Sequence, residues 1–209
     1  MQQLELIIAL QAGQAAFGLI MALLLIAFLN EFRHAFLRHW ALSCFAMACY
    51  FGAVAGLMIM MPIKDAPPTQ RLALSAFSQA AAYLHVVWLM IGAWEAVNER
   101  SISSGRHVLL ISIGIGVGIG TTLIQPFGAD AAWLRVLLRF TVVHVVTGLA
   151  FIITASMLSR ALRDQRMLSS RLTPLAFAGY GVYLLFLGGQ SIWINYFRSF
   201  PDYVPYLGL

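Results

Sequence analysis

Long apolar runs alternate with short polar breaks along this chain. Six of the runs reach the length of about 20 residues that a helix needs to cross a bilayer core: 5–29, 40–62, 72–97, 107–125, 131–157 and 172–197. Turn formers and helix breakers mark several of the gaps: Pro62, Pro67 and Pro68 after the second run, Ser103 to Gly105 after the third, Pro126 with Gly128 after the fourth. The pattern predicts an all-α integral membrane protein, a bundle of six transmembrane helices forming a single domain over residues 1–209. The chain opens on an acidic stretch, and no small-residue cleavage site follows the first run, so the first helix reads as an uncleaved anchor.

Composition agrees with the pattern. Apolar residues make up 61% and charged residues 10% of the chain, against roughly 45–50% and about 25% in globular domains. The net charge of +5 does not mark a nucleic-acid surface, because the arginines fall between apolar runs and form no single patch. They set orientation instead, since cytoplasmic loops retain Lys and Arg. Arg33, Arg38, Arg100, Arg106, Arg160, Arg163, Arg166 and Arg171 lie on one side and Lys64, Arg71, Arg135, Arg139 and Arg198 on the other, eight against five. This places the N-terminus outside the cytoplasm, periplasmic if the membrane is a bacterial inner membrane. After six spans the tail from Arg198 to Leu209 is outside too. A cytoplasmic domain would then need one more span, so the chain reads either as a piece whose next, seventh helix has been removed or as a six-helix bundle with a natural stop here. Cys44 and Cys49, five residues apart, do not share a helical face, so neither a disulfide nor a metal pair is expected.

Gly114, Gly116, Gly118 and Gly120 form two interleaved small-xxx-small pairs, which lets helices approach closely in lipid and predicts a central fourth helix. Gly188 and Gly189 read as a kink or a close packing contact. Trp40, Trp94, Trp133 and Trp193 sit towards run ends, as an interfacial belt requires.

Ionisable groups inside a span are costly and point to function. His34, His39 and His107 fall in or beside the arginine-rich loops, where solvent or lipid headgroups would meet them, and Glu95 would pair with a loop arginine. His85 and His144 are mid-span. Each lies 14 residues beyond a marker of the outer boundary, Arg71 and Asp130 respectively, so the two share one depth. If the third and fifth helices are neighbours, the pair can clamp one ligand. Neutral imidazoles in an apolar setting suit the axial positions of a b-type haem. Arg135 and Arg139 would meet its propionates, and Gly92 and Gly148 would let a flat ring close in. The alternative is that each imidazole only bonds a neighbouring helix, through Thr147, Tyr83 or a carbonyl. A second layer, about 7–9 Å further out by helical rise, contains Gln79, Arg139 and Gln190. It reads either as a site for an acidic or amphipathic ligand or as an interhelical hydrogen-bond cluster. Lys64, the sole lysine, lies in an outer loop, so no retinal Schiff base is expected, and no protease or lipase motif occurs.

Several segments carry a resemblance: Arg33-His-Ala-Phe-Leu-Arg-His-Trp-Ala-Leu-Ser-Cys, Tyr83-Leu-His-Val-Val-Trp-Leu-Met-Ile-Gly-Ala-Trp-Glu, Leu134-Arg-Val-Leu-Leu-Arg-Phe and the closing Tyr206-Leu-Gly-Leu. Together they resemble the membrane input regions of bacterial diguanylate cyclases (GGDEF proteins) and sensor histidine kinases. In that family seven helices commonly precede a cytoplasmic output domain. The resemblance implies a non-enzymatic sensor segment, acting as a homodimer in the full-length protein and responding to a small-molecule or redox stimulus. An electron-transfer cytochrome b and a small transporter are the rival readings.

Overall fold

The computed structural model describes residues 2–60, 68–124, 137–163 and 168–197. These form α1 (Gln2–Phe32), α2 (Ala35–Met60), α3 (Pro68–Asn98), α4 (Ser104–Leu123), α5 (Val142–Ala161) and α6 (Leu168–Phe197), with a π-helical turn, Leu137–Thr141, leading into α5. All six helical segments are long and apolar enough to cross a membrane, and no strand occurs among the described residues. Pro68 opens α3, where its missing N–H costs nothing. The breaks expected at Pro62, Pro67, Pro126 and Gly128 lie outside the described residues, as do Lys64 and Arg135.

Helix order dictates neighbour order. α1 packs on α2, α2 on α3, α3 on α4, and α5 on α6, while α3 meets α5 and joins the first four helices to the last two. α3 and α5 are therefore the central helices: half of the apolar window of each is buried, against 17% for α4 and 11% for α1. The glycine-rich α4, expected at the centre, is peripheral. Its glycines serve one face only. A Cβ at Gly118 would lie 2.6 Å from Ala80 Cα and one at Gly114 3.1 Å from Val87, whereas Gly116 and Gly120 have nothing within 4 Å. Residues four apart share a helical face and the pair between them points the opposite way. Gly148 and Gly181 perform the same role between α5 and α6, each approaching the other's carbonyl oxygen at 2.8 Å from a Cβ position.

The bundle is apolar outside, and its interior mixes small apolar residues with most of the polar groups of the spans. Phe17, Leu109 and Phe186 are exposed at 60%, 59% and 65%, while His39, Ser43, Gln79, His85, Thr122, Arg139 and Thr154 are buried. At the end where α1 and α3 finish, Arg33 and Glu99 adopt left-handed backbone, with φ of 55° and 53°. Each returns its N–H to the carbonyl four residues back, Leu29 at 2.8 Å and Glu95 at 2.9 Å. These two helix stops bring the α1–α2 and α3–α4 connections to one end of the bundle.

Candidate functional site

His85 of α3 faces Ser43 of α2. Its Nδ1 lies 3.0 Å from the Ser43 carbonyl and 2.8 Å from Ser43 Oγ, and that hydroxyl lies 3.0 Å from the His85 carbonyl. A carbonyl only accepts, so Nδ1 carries the proton and donates to Ser43, the hydroxyl donates to the His85 carbonyl, and Nε2 keeps its lone pair. The same logic fixes His144, whose Nδ1 donates to the Phe140 carbonyl at 2.8 Å in the π-helical turn. An imidazole held by Nδ1–H to a carbonyl is oriented as metal-ligating histidines are.

Both histidines line one cavity between α2, α3, α5 and α6, together with Tyr50, Val143, Thr147 and Tyr180. The His85 Nε2 is buried and has no partner. An aromatic cluster adjoins the cavity: Phe151 lies 5.7 Å from the His85 ring and 4.8 Å, edge to face, from Tyr180. The expectation that α3 and α5 would bring the two histidines to one place thus has a definite geometry. The cavity measures about 30 Å³, room for a water-sized occupant. The donors suit a haem iron, but the space does not admit a porphyrin in this packing. Gly92 is covered by the Trp40 indole and Gly148 by α6, so neither leaves a slot for a flat ring.

The second layer is assembled differently from the expected trio. Gln79 Nε2 donates to the Arg139 carbonyl at 3.0 Å, and the Arg139 guanidinium donates to the Thr122 carbonyl of α4 at 3.0 Å. Gln190 is exposed. Its neighbour Ser191 faces inward and accepts from the Thr141 hydroxyl at 3.0 Å. Arg139 therefore joins the π-helical turn to α4 and is not among the residues that line the histidine cavity.

One buried pair escaped the sequence reading. His39 is wholly buried, and its Nδ1 lies 2.7 Å from Glu95 Oε2, while Glu95 Oε1 accepts the Ile102 N–H at 3.2 Å. The loop-arginine partner expected for Glu95 and the solvated setting expected for His39 are thus replaced by a contact between the two. A signal existed: His39 is the fifth residue of α2 and Glu95 the fourth from the end of α3, so consecutive antiparallel helices set them at one level. His107 stands edge-on to His39 with ring centroids 5.0 Å apart, and His34 is exposed as expected.

No family model matches the chain, and no curated protein or solved structure shows significant similarity to it.

Proposed function

We propose that the chain is the membrane-embedded sensory input module of a bacterial signalling protein, spanning the inner membrane with a periplasmic N-terminus. The observation that supports the reading is the placement of His85 and His144 on one cavity across the seam between α3 and α5. Inward polar groups and outward apolar ones suit a bundle solvated by lipid. A ligand that favours one packing of the seam over another shifts the population of bundle states, and a cytoplasmic output domain attached beyond residue 209 would read that shift. Haem is the leading ligand, and it requires the seam to open. When bound it would supply a redox- or gas-responsive iron. Ser43 and Phe140 would hold the two imidazoles in the ligand tautomer.

The test is the visible spectrum of the purified protein incubated with haem, oxidised and dithionite-reduced, beside His85→Ala and His144→Ala. A Soret band with sharp reduced bands, lost in both variants, is the expected result. A colourless, folded protein would overturn the haem form of the proposal and leave the cavity to a much smaller ligand.

A further inference from the structure

A second cavity, of about 410 Å³ and more polar than the histidine site, is formed where the α1–α2 and α3–α4 connections meet. Its volume falls within the roughly 300–1,000 Å³ typical of small-molecule sites. Arg33 and His34 line it from the first connection, and Glu99, Arg100 and Ser101 from the second, with Glu95 on the inner wall.

The geometry points to this pocket as a binding site for a phosphate-bearing zwitterion of the phosphoethanolamine class. Arg33, Arg100 and Glu99 share one cavity without neutralising one another, for the one ion pair among the described residues is His39 with Glu95. Two guanidinium forks match the oxygens of a phosphate. Inorganic phosphate alone would leave the Glu99 carboxylate facing an anion, and a simple cation would face two arginines. A ligand carrying both charges satisfies all three. Glu99 is the carboxylate left for the ammonium, because both Glu95 oxygens are engaged, by His39 and by the Ile102 N–H. The left-handed backbone at Arg33 and Glu99 turns each connection where its side chain enters the pocket lining. The ligand is either a lipid headgroup or a soluble phosphoethanolamine. Only the lipid source rests on the membrane reading above.

The test uses the whole chain, delipidated in mild detergent. Phosphoethanolamine, inorganic phosphate and ethanolamine are titrated by calorimetry, and short-chain phosphatidylethanolamine and phosphatidylglycerol are compared by native mass spectrometry. The phosphoethanolamine group is expected to bind at least ~10-fold more tightly than phosphate, which corresponds to one charge-assisted contact of ordinary strength. Arg33→Gln and Arg100→Gln each weaken binding by about 10-fold, and Glu99→Gln removes the preference for the ammonium-bearing probe. His85→Ala leaves binding unchanged, which separates this site from the histidine cavity. Binding of the lipid alone assigns a headgroup site, and equal binding of free phosphoethanolamine assigns a soluble ligand. No binding of any probe by a folded protein overturns the proposal. So does undiminished binding by the double arginine variant, or a preference that survives Glu99→Gln.

Discussion

Glu95→Ala is expected to destabilise the bundle by about 3 kcal/mol, the scale for removing one partner of a buried, hydrogen-bonded pair. The reason is what the truncation strands. Glu95 accepts from two donors, the His39 ring at 2.7 Å and the Ile102 N–H at 3.2 Å. The His39 Nε2 is already buried without a partner, so losing Glu95 leaves the whole imidazole unsatisfied inside the bundle. The Ile102 N–H lies in the extended connection ahead of α4 and loses the acceptor that ties that connection to α3. Glu95→Gln keeps the shape and one good acceptor, but presents an amide donor to one of two existing donors. Its cost should be about 1 kcal/mol, one ordinary hydrogen bond. Unfolding midpoints in mixed detergent micelles measure both. The decisive comparison is a double-mutant cycle with His39→Ala: the double variant should cost less than the sum of the two single ones by at least about 1 kcal/mol. Strict additivity would show that the pair contributes no coupling, and the latch between α2, α3 and the start of α4 would have to be abandoned.

That pair also marks where sequence reading stops. Hydropathy fixes the helices because each must satisfy its own backbone, so all six expected runs have a corresponding helix, with ends displaced by a few residues save the start of the fifth run, which lies outside the described residues. Depth is legible for the same reason: constant rise per residue places His85 and His144 at one level, and they line one cavity. Azimuth is not legible, because an apolar helix in an apolar surface has little amphipathic bias to show which face turns inward. Four alternating glycines in α4 therefore suggest a central helix, although only Gly114 and Gly118 meet α3. In α6 the inward polar residue is Ser191 and not Gln190, a rotation of one residue. The π-helical turn at Leu137–Thr141 adds a local change of phase that apolar periodicity does not announce. His39 reads as solvated because it lies beside the loop that carries Arg33 and Arg38. Its level matches that of Glu95 in the antiparallel α3, but the azimuth that turns both side chains inward is not legible.

The glycines of α4 give the sharpest test of azimuth. Gly118→Leu is expected to cost about 3 kcal/mol, at the upper end of overpacking penalties, because even the first added carbon would lie 2.6 Å from both Ala80 N and Ala80 Cα and 2.8 Å from the Gln79 carbonyl carbon. These are backbone atoms and cannot rotate aside, so α4 must move away from α3. That displacement carries the Thr122 carbonyl with it and breaks the hydrogen bond from Arg139, a contact that ties the π-helical turn to the fourth helix. Gly116→Leu, two residues earlier, meets open space and should change stability by no more than about 0.5 kcal/mol, with Gly116→Ala gaining slightly from helix propensity. Same residue, same helix, opposite consequence: only the direction in which the missing side chain points differs. Unfolding midpoints of the three variants decide it. If Gly116→Leu proves as damaging as Gly118→Leu, then another surface, such as a second copy of the chain, covers the Gly116 and Gly120 face, and the peripheral position of α4 would hold only for a single chain.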